Sequence, residues 1–177
     1  MKRNLASALA FAAAPLAAQT AQGERLVSPS LPGFVEGFAR ANAEQSIREE
    51  VPRGETVEAW SRMVTTQRFT GLAERATPLA YAGNILSHVP QSCPGARASK
   101  PVSLTVSGHA AVRFQVDCPR NARGQAETFM LLAIAGRSDM HVKQVAWRGG
   151  TTPQALAWGR DILARTALCG PQAACRP

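Results

Sequence analysis

The side chains best suited to nucleophilic or metal chemistry are four cysteines, Cys93, Cys118, Cys169 and Cys175, and three histidines, His88, His109 and His141. Their spacing supports neither use. There is no C-x-x-C pair, and no histidine stands at zinc-finger distance from a cysteine pair, so a structural zinc site has no support. H-E-x-x-H is missing, which removes the pattern for zinc hydrolysis, and the three histidines read as surface or boundary residues. G-x-S-x-G and the glycine-rich phosphate loops are absent as well, and Gly149-Gly150 reads as a turn before a capped helix. A catalytic cysteine needs a neighbouring base or a helix N-terminus to become a thiolate. A small secreted hydrolase using Cys/His chemistry therefore stays an alternative only through residues that meet in the fold. No cofactor and no metal is expected.

The cysteines make sense once the N-terminus is considered. Lys2 and Arg3 precede an uncharged apolar stretch over 5–14, followed by Pro15 and small residues before Gln19. This is the order of a secretory signal peptide, with cleavage expected after Ala18; a buried N-terminal helix is the alternative. The stretch is too short for a stop-transfer helix, so the mature chain is expected to carry no transmembrane segment and to be periplasmic or secreted. An even number of cysteines in an oxidising compartment argues for disulfides. Of the three pairings that four cysteines allow, Cys93 with Cys118 and Cys169 with Cys175 are favoured. The first joins the end of a helix to an inward-facing strand position, and the second closes the turn-rich segment 170–174. Loop closure makes them worth ~3–4 and ~2–3 kcal/mol respectively.

Lys and Arg number 20 against 12 Asp and Glu, a net charge of +8. Arg113, Arg120, Arg123, Arg137, Lys143 and Arg148 fall at outward strand phases and turns, which makes them a candidate basic surface. Such a surface attracts anionic polymers, lipid or an acidic partner. No run of five like charges occurs and aromatic residues are not interleaved, so nucleic acid is disfavoured. Trp60, Trp147 and Trp158 read as core.

The 177 residues, 45% hydrophobic and 18% charged, suit one globular domain. Residues 1–18 are assigned to the signal peptide, 19–33 to an extended polar lead-in and 34–177 to the domain, with a disulfide-stapled C-terminal loop. Strands are expected at 34–39 and 45–51, joined by a turn over 40–44, then one or two helical turns at 56–60 and a strand at 61–69. Thr77-Pro78 starts a helix whose Leu79, Ala82, Ile85, Leu86 and Val89 share a face, with Pro90 and Pro94 stopping it. Alternation over 102–106 and 110–118 across Ser107-Gly108-His109 marks a hairpin. Residues 128–135 are apolar without alternation, which fits a central strand covered on both faces. A strand at 141–148 and a helix from Thr152-Pro153, lined on one side by Ala155, Trp158, Gly159, Ile162, Leu163 and Thr166, complete the order. The class is α+β: an antiparallel sheet of about six or seven strands packed between helices, an α/β/α sandwich.

The stretch Glu49-Glu50-Val51-Pro52-Arg53-Gly54-Glu55-Thr56-Val57-Glu58-Ala59-Trp60-Ser61-Arg62-Met63-Val64-Thr65 resembles the passage from hairpin through P-x-G-E-x and a tryptophan into a strand in PsbP-like and DcrB-like envelope proteins. The hairpin at Val106-Ser107-Gly108-His109-Ala110-Ala111 is similar to one in that group. The resemblance spans the element order of about 34–168 and carries no functional residue. It implies a small αβα sandwich exported to an envelope or lumenal compartment, often an accessory protein without a known reaction. With the expected compartment, the disulfides and the missing reactive motifs, the expectation is a non-catalytic accessory or binding protein of the cell envelope. With the basic surface, its partner is expected to be an envelope protein or an anionic surface. A secreted inhibitor or immunity-type module is a further alternative.

Overall fold

The computed structural model describes residues 23–170. The expected signal peptide and Cys175 lie outside these residues. Ten strands and two helices follow one another: β1 (Arg25–Val27), β2 (Phe34–Ala41), β3 (Gln45–Pro52), β4 (Arg62–Phe69), α1 (Pro78–Ser92), β5 (Arg97–Ala98), β6 (Val102–Val106), β7 (His109–Cys118), β8 (Glu127–Ala135), β9 (Met140–Arg148), α2 (Pro153–Ala164) and β10 (Ala167–Cys169). Eight strands form one antiparallel sheet in the order β2-β3-β4-β9-β8-β7-β5, with β6 sharing the outer edge of β7 with β5. β1 pairs separately with β10.

β8 decides the architecture. Its Met130, Leu132 and Ile134 pack with Val145 and Trp147 of β9 under Ala155, Ile162 and Leu163 of α2. Its Leu131 and Ala133 pack with Val112, Phe114 and Val116 of β7 under Tyr81 and Ala82 of α1. Successive strand residues point to opposite faces, so the two helices cover opposite sides, as an apolar strand without alternation requires. Both helices begin as their sequence signals predict. The Thr77 hydroxyl accepts the Ala80 N–H at 3.1 Å and the Thr152 hydroxyl that of Ala155 at 3.2 Å, each followed by proline. α1 packs mainly over β7 and β8, with Tyr81 also reaching Met140 and Val142 of β9 and the Phe69 ring of β4 at 5.9 Å, and it leaves the other end of this face uncovered. Over β3 and β4 the same face keeps its own apolar group, Val51, Trp60, Met63 and Ala146.

Several expectations are corrected. The sheet has eight strands, because the two-residue β5 joins the edge. Residues 56–60 form a bend and no helix. Thr56 and Ala59 exchange backbone hydrogen bonds, the Thr56 hydroxyl accepts the Ala59 N–H, and the Glu55 carboxylate holds the Ser61 N–H at 2.6 Å. Local side-chain acceptors thus displace the helical pattern. Pro90 sits inside the last turn of α1, where the helix continues to Ser92 and the Cys93 N–H closes on the Val89 carbonyl. Leu79 is 52% exposed and Tyr81 takes the inward place. Part of the polar lead-in is a strand, β1. Lys143 and His141, expected outside, are 1% and 2% exposed, since their strand phase faces α2.

The Cys93–Cys118 disulfide is present, with the two Cα atoms 5.8 Å apart. It ties the end of α1 to the end of β7. Cys169 is buried at the end of β10; its expected pairing involves Cys175, outside the described residues.

Candidate functional site

Because α1 covers only part of its face, the sheet beside it stays open. A groove of about 420 Å³ lies there. Its floor is a cross-strand row set by register: Glu49 of β3 is opposite Thr65 of β4, and Thr65 is opposite Gln144 of β9. None of these three side chains is hydrogen-bonded to another described residue. Burial, together with the nearby Glu58 carboxylate, raises the Glu49 carboxyl above the usual range, so the groove end at Glu49 is electrostatically unfavourable to further negative charge.

Two structured walls flank the row. On one side the Arg148 guanidinium stacks 4.0 Å from the Trp60 ring centre and donates to the Trp60 carbonyl at 3.3 Å. On the other, Asn121 organises the connection between β7 and β8: its side-chain oxygen accepts the N–H groups of Arg123 and Gln125, and its amide donates to Glu127. Arg123 then reaches across to donate to the Glu58 carbonyl at 3.1 Å, bridging the walls. The groove therefore offers guanidinium and amide donors, amide and carboxylate acceptors, and the edge of an aromatic wall. Among the described residues, no histidine or cysteine lines it. Its lining is suited to hydrogen bonding.

The six basic residues expected to share a surface do not. Arg123 and Arg148 meet at the groove through Glu58. Lys143 is buried on the opposite face, its Nζ donating to the Thr66 hydroxyl at 2.9 Å, and burial pulls its pKa down to about 8. Arg113 lies on that opposite face too, paired across from Val102. Arg120 is exposed beside the disulfide, and Arg137 stands in the β8–β9 turn, where its backbone N–H is held by the Glu24 carboxylate at 2.7 Å. Outward strand phase was the signal for this set; it fails where both faces of a strand are covered.

The histidines stay apart from the groove. His88 contacts the Asn84 carbonyl on α1. His109 donates from Nδ1 to the Ala135 carbonyl, with the Glu24 carboxylate 3.9 Å from Nε2. His141 has no hydrogen-bond partner for Nε2, and burial lowers its pKa. Cys93 and Cys118 are joined, so neither is a thiolate nucleophile. Among the described residues no group of three His, Cys, Asp or Glu side chains can hold a metal ion, and no helix is long and apolar enough to cross a membrane. Sequence reasoning missed Glu49, Thr65 and Gln144. Only their cross-strand register, which no spacing along the chain encodes, makes them neighbours.

No protein-family model matches the sequence, and no curated protein matches it. Solved structures do. The Saccharomyces cerevisiae Ran-binding protein Mog1p is similar over 80% of this chain and 88% of its own, at 11% identity and a TM-score of 0.51. A Pseudomonas aeruginosa protein of unknown function, PA94, is 18% identical over 93% of this chain and 90% of its own, with a TM-score of 0.45. LpqN of Mycobacterium tuberculosis, described as involved in cell envelope biogenesis, is 11% identical over 85% and 87%, with a TM-score of 0.47. The likeness is one of fold. The chain is a single α+β domain of the sandwich type seen in Mog1p, and at these identities nothing about activity follows from it.

Proposed function

We propose that this protein is an exported, non-catalytic accessory protein of the PsbP-like or DcrB-like kind, which binds a component of the cell envelope at the groove beside Trp60. The observation that carries the binding reading is the row Glu49–Thr65–Gln144. Three polar side chains, without a hydrogen-bond partner among the described residues, line an open groove between walls fixed by Asn121 and by the Trp60–Arg148 stack. Their polar atoms open into the groove, where a ligand with amide or hydroxyl groups would exchange water for direct hydrogen bonds. Export is supported by the Cys93–Cys118 bond, which persists in oxidising compartments, and by the N-terminal charge and apolar order of residues 1–18. The second staple, Cys169 with Cys175, belongs to the same proposal.

A photoreactive residue at Gln144, in cells producing the full chain, tests the groove. One discrete envelope adduct is expected, abolished by Arg148→Ala and absent when the probe stands at the exposed Ala157 of α2. Equal labelling from both positions, or none from Gln144, overturns the groove reading. N-terminal sequencing of the same material tests export: a start near residue 19 supports it, and an uncut cytosolic chain removes it.

A further inference from the structure

On the face opposite the groove, two crevices meet at Arg113. One, of about 210 Å³, is walled by Lys100, Val102, Arg113, Met130 and Arg160; the other, of about 400 Å³, runs between β6 and the end of α2 past Leu104, Leu132 and Leu163. Among the described residues, no carboxylate lines either crevice. Three cations from separate parts of the chain converge on the smaller one: Lys100 from the β5–β6 connection, Arg113 from β7 and Arg160 from α2. None of the three side chains has an ion pair or hydrogen bond to another described residue. Arg165, at the rim of the larger crevice, differs, since Asp161 takes its charge.

Unneutralised like charges around one concavity repel each other. All three residues are exposed, so water softens the repulsion, and an anion seated between them would be attracted by all three. A low-dielectric cleft with one sign of charge concentrates counter-charge, and guanidinium groups match phosphate oxygens in a two-pronged geometry that a lysine complements as a point charge. The walls add a second requirement. Val102 lies directly across from Arg113 in the β6–β7 ladder and is 53% exposed, among the most exposed large apolar residues described. Leu104, two residues on along the same side of β6, continues the apolar strip into the larger crevice. Cations at one end and an apolar strip leading away from them call for a ligand that is anionic at one end and hydrocarbon at the other.

We propose that this trough binds an anionic amphiphile, with its phosphate against Lys100, Arg113 and Arg160 and its apolar body along Val102 and Leu104. The assignment is independent of the groove beside Trp60, which occupies the other face of the sheet. Calorimetric titration of the full exported chain with monododecyl phosphate below its micellar concentration tests it. Saturable binding is expected, stronger than for inorganic phosphate and absent for dodecyl maltoside, which shares the tail and lacks the charge. Arg113→Gln and Arg160→Gln should each weaken it about ten-fold, and higher salt should weaken it further. Val102→Asp, which places a carboxylate at the rim, should do the same while melting temperature stays within a few degrees. Equal affinity in the arginine variants, or equal binding of the maltoside, overturns the proposal. Sedimentation with phosphatidylglycerol against phosphatidylcholine vesicles identifies the source. Charge-dependent pelleting lost in the Arg113→Gln/Arg160→Gln variant marks a lipid-borne phosphate, and binding of the dissolved alkyl phosphate alone marks a free amphiphile.

Discussion

A lysine that is 1% exposed with one protein hydrogen bond is an expensive residue. Lys143 gives that bond to Thr66, while Glu50 favours its charge and Arg48 opposes it; burial outweighs both and sets the pKa near 8 against an ordinary 10.5. Below pH 8 the ammonium is charged in folded and unfolded chains alike, and the folded state carries the full penalty. As pH rises from 8 towards 10 the folded lysine loses its proton while the unfolded one keeps it, so stability increases through that window. Tyr81 opposes it above pH 10, because burial pushes its hydroxyl up to about 12 and the unfolded phenol ionises first. Urea unfolding at pH 7, 8 and 10 should show a rise of roughly 2–3 kcal/mol for the natural protein. Lys143→Met should be more stable at pH 7 and nearly flat over the same range. A natural-protein profile that is itself flat from pH 8 to 10 contradicts the assigned burial penalty.

At the scale of elements, α2 shows how close a helix comes to this sheet. A Cβ on Gly159 would lie 3.1 Å from Trp147 Cζ3 and 3.2 Å from Met130 Sδ, both buried. Alanine would relieve the entropic cost of a helical glycine, but the tryptophan has little room to retreat. Gly159→Val, adding two methyl groups and β-branching, is expected to destabilise by about 1–3 kcal/mol, read as a lower urea midpoint at unchanged slope. Unaltered stability would mean that α2 stands further off than the contact implies. Elements of this kind were legible in the sequence: threonine–proline caps fixed both helix starts, and the alternation of β6 and β7 and the doubly apolar β8 located the sheet and its two covers. What escaped was decided by partners remote in sequence. Arg25–Val27 becomes a strand only because β10 lies beside it, Arg97–Ala98 only because β7 has a free edge, and residues 56–60 stay unwound because Glu55 and Thr56 satisfy the backbone locally. The site was less legible than the fold. Arg123 and Arg148 were singled out by charge, but their meeting at Glu58, the Glu49–Thr65–Gln144 row, and the gathering of Lys100 and Arg160 around Arg113 follow from register and helix placement.

Across the whole molecule, the Cys93–Cys118 bond connects the two layers that the hydrophobic cores otherwise hold by packing alone. Between these residues the chain runs from the end of α1 through β5 and β6 to the end of β7, a separation of 25 residues. Closing a loop of that length in the unfolded chain removes entropy worth ~3–4 kcal/mol, a large share of the 5–15 kcal/mol typical of a domain. The effect is concentrated at one margin of the sheet. The far side, β2 to β4, is held by ladder bonds and by the cluster around Val51 and Trp60, and gains nothing locally from the crosslink. Replacing both cysteines by alanine should therefore lower the melting temperature by about 6–15 °C in a domain of this size, with the largest rise in amide exchange at the end of α1 and along β5. The groove walls at Trp60 and Arg148 should keep their protection, whereas the Asn121–Gln125 wall, which begins three residues after Cys118, should loosen. That asymmetry separates a local brace from a general stabiliser: with the bond reduced, the protein would retain its sheet while one wall of its groove became mobile. Uniform loss of protection across all strands would show instead that the bond supports the entire fold.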